Sequence, residues 1–182
     1  MSQIINISAD ITLYVAPISG AGNRRERERA TAAMLMTEAA GVPCEILHRA
    51  DGSPYPACGG MEISVSHSAL IAGLAVSRRG RVGIDIEEWR VEQLRRVARR
   101  VLSEAEVGVY SDDAALLRAW TLKEAAYKAI NGAPADLREI RLPLTLDDRY
   151  INTDTARAAI VWSGAVSVNG IEAYMSVVGQ VD

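Results

Sequence analysis

The sequence predicts an α+β protein. Three observations carry that reading: alternating apolar runs lie on both sides of a helix-rich middle, no linker or low-complexity stretch divides the 182 residues, and 49% of them are hydrophobic. Strand-like runs that precede and follow the helices, instead of alternating with them, favour antiparallel sheets over a doubly wound parallel sheet. A chain of this length buries roughly 70% of its extended surface, so it needs neither disulfides nor a structural metal to fold.

The elements follow in order. Ile11 to Ala16 is a short apolar run ended by Pro17 and reads as a strand. Arg24 to Ala40 is rich in helix formers, with Asn23 placed as N-cap and Gly41 placed to end it. Its mixed-sign start, Arg24 to Arg29, reads as a solvated face. Glu45 to Arg49 is a strand between loops punctuated by Pro43 and by Asp51 to Pro56. Glu62 to Ser66 and Ala69 to Ser77 are strands joined through Ser66-His67-Ser68, and Val82 to Glu87 is a third. From Val91 to Tyr110 the spacing is helical, with a fresh capping box at Ser103 to Glu106. Asp112 or Asp113 caps a further helix that runs to about Ile130 and ends at Asn131-Gly132. Ile140 to Leu146, Ala158 to Val168 and Ile171 to Val178 alternate as closing antiparallel strands.

Composition removes several functions. A net charge of −3 does not suit a nucleic-acid binder driven by overall charge. The longest apolar stretch, Ala69 to Val76, is too short to span a bilayer. Asp10 interrupts the N-terminal apolar segment, so no signal peptide is expected. Cys44 and Cys58 could pair, but two cysteines are no disulfide framework, and they read as ordinary thiols of a cytoplasmic protein. Ser-His-Asp order, zinc-ligand spacing, a P-loop and a dinucleotide fingerprint are all missing from the sequence.

The chemistry-bearing residues gather in a few places. The chain has 18 arginines and two lysines, and both lysines, Lys123 and Lys128, fall within six residues. Positions that resist the arginine default point to a need for a compact ammonium. Along Val82 to Glu87, alternation sends Asp85 and Glu87 to one face, where hard oxygen ligands suit Mg²⁺. The plainer reading is the polar side of a half-exposed strand. On the following long helix, Trp120, Glu124, Tyr127 and Lys128 share a face, with Lys123 at its edge. A third carboxylate can thereby meet the strand pair, although Glu124 and Lys128 alone would pass for a surface ion pair. His67, set between serines at a bend, suits a phosphate-binding nest, although a lone histidine is more often a structural hydrogen-bonder, and His48 reads as structural. Arg90, Arg95, Arg96, Arg99 and Arg100 form a basic patch that can steer an acidic macromolecule or simply solvate a helix.

Ser66-His67-Ser68, then Gly83-Ile84-Asp85-Ile86-Glu87, then Trp120 to Lys128 resemble, in order and spacing, the 4′-phosphopantetheinyl transferases. Within them the pattern is similar to the surfactin-type class, whose single chain is pseudo-duplicated. The likeness covers residues 24–150 in outline and is sharp only in the motifs. It implies an α+β fold of two pseudo-symmetric halves, each an antiparallel sheet packed with a long helix, divided as residues 1–80 and 81–182. It further implies Mg²⁺-dependent transfer of 4′-phosphopantetheine from coenzyme A to a serine of an acyl or peptidyl carrier protein, releasing adenosine 3′,5′-bisphosphate.

By match to the family motifs, Asp85, Glu87 and Glu124 would hold the metal in the second half, and Glu124 would be the base. Lys128 would contact the phosphates and Lys123 support them; Ser66, His67, Arg49 and the Gly52-Ser53-Pro54 turn would bind coenzyme A. The carrier would dock near the arginine patch, and the enzyme would act as a cytoplasmic monomer without nucleic-acid or membrane partners. Ser53 stands where the family's turn has lysine and Thr37 where arginine is common, and the chain is shorter at its N-terminus; Arg24, Arg25, Arg29 or Arg49 are the replacements at hand. Two other classes stay open. One is a carrier-binding module that keeps the fold without catalysis, against which the intact acid-and-lysine set argues. The other is a different Mg²⁺-dependent phosphate enzyme, which nothing beyond the carboxylates favours.

Overall fold

The computed structural model describes residues 1–89, 91–145 and 147–181, with the side chains of Val91 and Arg99 excepted. It is a mixed α+β structure with antiparallel sheets. The first sheet is formed by β1 (Gln3–Asn6), β2 (Ile11–Pro17), β6 (Ile71–Ser77) and β5 (Glu62–His67), in that spatial order. The second is β7 (Val82–Glu88), β10 (Ile171–Val181), β9 (Arg157–Val168) and β8 (Tyr150–Asn152). Asn169 and Gly170, both at positive φ, make the tight turn between β9 and β10. The described residues form the helices α1 (Arg24–Ala40), α2 (Val91–Val101), α3 (Glu104–Val109) and α4 (Asp113–Ala129). No described helix is long and apolar enough to cross a membrane.

Three apolar clusters set the layers. Leu13, Val15 and Ala75 of the first sheet pack between the sheets against Ile84, Ile86, Met175 and Val177 of the second. Leu35 and Met36 of α1 cover the outer face of the first sheet. Leu122, Ala125, Ala126 and Ala129 of α4 meet Ala158, Ile160 and Val178 on the outer face of the second. The caps behave as their residue types dictate: Asn23 and Glu26 form a capping box at the start of α1, and Gly41 ends it at φ 70°. Ser103 and Glu106 form another that splits α3 from α2.

Two details fix the site. Between the sheets, β5 and β7 advance in the same direction, with serine hydroxyls standing where ladder carbonyls would be. Ser64 Oγ accepts the Ile84 N–H (3.2 Å) and Ser66 Oγ the Ile86 N–H (3.3 Å). Gly83 lets α4 lie directly on β7: a Cβ there would overlap the Ala125 carbonyl oxygen and come within 2.8 Å of the Ala129 nitrogen. The face of β7 turned to α4 is therefore Gly83, Asp85 and Glu87.

Several expectations are corrected. Ile140 to Thr145 is no strand: a 3-10 turn, Leu137–Glu139, leads into one isolated bridge, Arg141 with Asn152. Leu146, the last residue of that expected strand, lies outside the described residues. The strands β1, β4 (Pro54–Pro56) and β8 carry too few alternating residues to announce themselves. The proline-rich loop pairs as β4 with β3 (Ile46–His48), a hairpin of three residues a side. Cys44 and Cys58, expected as free thiols, are joined in a disulfide at the base of that hairpin. A two-stranded ribbon so short is unstable alone, and the cross-link compensates.

Candidate active site

The long helix runs antiparallel to β7 across the Gly83 contact. Lys128, near its C-terminus, donates from Nζ to Asp85 Oδ1 (2.8 Å) and to the Ile84 carbonyl (2.9 Å). Two turns earlier, Trp120 donates its indole N–H to Glu87 Oε1 (3.2 Å). Glu124 lies midway between Trp120 and Lys128 on that face, level with the interval from Asp85 to Glu87. Burial raises its carboxyl above the usual range, the Asp85 charge adds to the rise, and Lys128 opposes it.

Asp85 is the focus. Its Oδ1 accepts from Ser66 Oγ (2.9 Å) as well as from Lys128, and its Oδ2 is buried without a hydrogen-bond partner. A buried carboxylate oxygen with no donor is costly unless a cation completes it. A bare carboxylate oxygen of this kind suits Mg²⁺, which takes only one or two carboxylates and completes its shell with waters and substrate phosphates. Among the described residues, however, no three His, Cys, Asp or Glu side chains are gathered tightly enough to hold a metal.

A cavity of about 1070 Å³ opens beside this cluster, at the upper end of usual ligand-pocket volumes. Lys128 stands at its wall, with His67, Arg49, Gly52, Ser53 and Pro54, and with Arg25 and Arg29 one turn apart on α1. Arg49 shapes the hairpin turn, donating to the Pro54 carbonyl (3.0 Å) and to Glu62 Oε1 (2.9 Å). Ser53 donates its N–H and hydroxyl to Asp51, and these bonds hold the Asp51 carboxyl below its usual range. Gly52, at φ 83°, supplies the left-handed residue the turn requires. His67 Nδ1 lies 3.4 Å from Glu28 Oε1, which also takes the Arg24 guanidinium at 2.6 Å.

Two residues expected to meet the ligand do not line the cavity. Lys123 is wholly buried, ion-paired with Glu106 (2.9 Å) and donating to the carbonyls of Leu137 (2.9 Å) and Ile140 (2.6 Å). Three donors and three protein acceptors leave nothing for a phosphate, so Lys123 is not brought to the cavity. Its position on the helical wheel, at the edge of the active face, concealed that it points into the core. Ser66 is also buried, and its single proton goes to Asp85 instead of a ligand. Of the arginine patch, Arg95 pairs with Asp113 (Nε to Oδ1 2.8 Å), while Arg96 and Arg100 are exposed. Arg90 and the side chain of Arg99 lie outside the described residues. Glu28 on the cavity wall went unnoticed in the sequence, because nothing separates it from the other charges at the start of α1.

The 4′-phosphopantetheinyl transferase superfamily model matches residues 81–173, half of the chain. The chain belongs to that superfamily. The match begins at the edge of β7 and takes in Asp85, Glu87, Glu124 and Lys128, so the superfamily's region and the α4–β7 cluster coincide. No curated protein matches the chain.

Proposed function

We propose that the protein transfers 4′-phosphopantetheine from coenzyme A to a serine of an acyl or peptidyl carrier protein, with Mg²⁺, releasing adenosine 3′,5′-bisphosphate. The observation that carries this reading is Asp85, bare on one oxygen and paired on the other with Lys128, which itself lines a large cavity, in a chain of this superfamily. The finer placement is the surfactin-type class, with residues 1–80 and 81–182 as pseudo-symmetric halves acting as one cytoplasmic monomer. Two four-stranded sheets, each with a 17-residue helix on its outer face, support it.

Coenzyme A occupies the cavity, its nucleotide against the Arg49 and Gly52-Ser53-Pro54 turn and its pyrophosphate between His67 and Lys128. Arg25 and Arg29 supply the positive charge that Ser53 does not. Asp85, Glu124 and Glu87 would hold Mg²⁺, which when bound offsets charge developing on the pyrophosphate oxygens. Lys128 adds a fixed ammonium on the same side, already oriented by Asp85 and Ile84. Glu124, made more basic by its burial and by Asp85, takes the proton of the carrier serine. The serine oxygen then bonds to phosphorus as the bond to the nucleotide bisphosphate breaks, a reaction governed by positioning and charge. Trp120 steadies Glu87, and the exposed Arg96 and Arg100, with Arg90, Arg95 and Arg99, meet the acidic carrier.

Incubating the protein with coenzyme A, Mg²⁺ and an unmodified carrier tests this reading by mass spectrometry. The carrier should gain one phosphopantetheine. Carrier binding without that gain would instead indicate a docking module.

A further inference from the structure

Lys128 and Ser66 crowd onto one oxygen of Asp85 and leave the other bare. We propose that Ser66 is the positioning residue of the metal site, reaching from the first sheet to aim Asp85 Oδ2 at the cation. This rests on the reading that Asp85 is a metal ligand.

Ser66 Oγ is held from two directions. It accepts the Ile86 N–H (3.3 Å), which fixes the oxygen, and its only proton is directed to Asp85 Oδ1 (2.9 Å). A carboxylate rotates broadly about χ2 and its two oxygens are otherwise equivalent. Ser66 and Lys128 on the same oxygen remove that equivalence and leave Oδ2, buried and without a donor, as the oxygen available to a cation. Groups that orient ligands in this way set metal affinity without touching the ion. The bond also crosses the junction of the two sheets, between residues 19 apart, so the metal ligand is aligned by the strand that carries His67 to the cavity.

Ser64 provides the internal control. It accepts the Ile84 N–H (3.2 Å) from β7 as Ser66 does from Ile86, yet among the described residues its hydroxyl has no bond to a carboxylate. Each hydroxyl accepts one N–H across the sheet junction, and Ser66 alone also donates to Asp85, so only its removal leaves Lys128 as the sole donor to that carboxylate.

The test is titration of the full-length protein with Mn²⁺ alone, counting free ion by electron paramagnetic resonance. Thermal melts confirm folding. Wild type should bind one ion, Ser66→Ala should bind it about ten- to hundredfold more weakly, and Ser64→Ala should bind as wild type. Ser66→Thr, which keeps the hydroxyl, should restore affinity. In the transfer assay Ser66→Ala should lower kcat while leaving the KM for coenzyme A unchanged. Wild-type affinity in Ser66→Ala, or an equal loss in Ser64→Ala, would overturn the positioning role. Failure of the wild type itself to bind one ion would instead sink the metal reading beneath it.

Discussion

Lys123→Met separates a structural lysine from a catalytic one. The side chain is wholly buried, its ammonium paired with a Glu106 that is itself buried and also accepts the N–H groups of Ser103 (2.8 Å) and Leu142 (2.7 Å). Methionine fills much of the same volume but leaves Glu106 charged and without its cation, and two carbonyls without donors. Breaking one partner of a buried pair costs about 3–5 kcal/mol, a large share of the roughly 5–15 kcal/mol that holds a domain folded. Urea denaturation followed by tryptophan fluorescence should show that loss, and Lys123→Met with Glu106→Gln should recover part of it by removing the stranded charge.

Burial lowers the Lys123 ammonium below its ordinary 10.5, with Glu106 opposing the shift. Between the folded and unfolded values the unfolded chain binds more protons, so this residue makes stability rise with pH through that window. In Lys123→Met that rise should vanish. Transfer by the folded variant at low temperature should stay near wild type. An unchanged urea midpoint, or a folded variant with no transfer, would refute the structural assignment.

Other outcomes follow from the same geometry. Gly83→Ala should push α4 off β7, because backbone of Ala125 and Ala129 stands in the way; the melting temperature should fall, and kcat should drop by more than tenfold. Cys44→Ser opens a loop spanning 14 residues, which is worth about 3 kcal/mol in the chain-entropy account; melting temperature and coenzyme A affinity, by calorimetry, should both fall. Reversing charge at Arg96 and Arg100 should weaken carrier binding, most at low ionic strength. Carrier affinity that ignores both substitutions and salt would leave the patch as a solvated face.

What could be read in advance followed from periodicity and capping. The bounds of α1 came from Asn23 and Gly41, and the paired faces of β7 and α4 from periods of 2 and 3.6. The approach of Asp85, Glu124 and Lys128 was therefore visible without coordinates. Side-chain destinations were not. Lys123 differs from Lys128 by little more than a turn, yet one fills the core beside Glu106 and the other faces the cavity. Glu106 advertised only its capping role, and its second partner sits 36 residues away at Leu142. Ser66 looked like a phosphate ligand because a hydroxyl at a bend carries no sign of which strand it will face. Cys44 and Cys58 gave no pairing signal, since the hairpin that joins them rests on β4, whose prolines read as loop.

The most direct measurement is single-turnover transfer by Asp85→Asn, a near-isosteric change that keeps an acceptor for Ser66 and removes the bare charged oxygen. The variant should remain folded, bind coenzyme A, and modify the carrier at least a hundredfold more slowly than wild type, about 2.7 kcal/mol. A folded Asp85→Asn that modifies the carrier at close to the normal rate would show that the chemistry lies elsewhere.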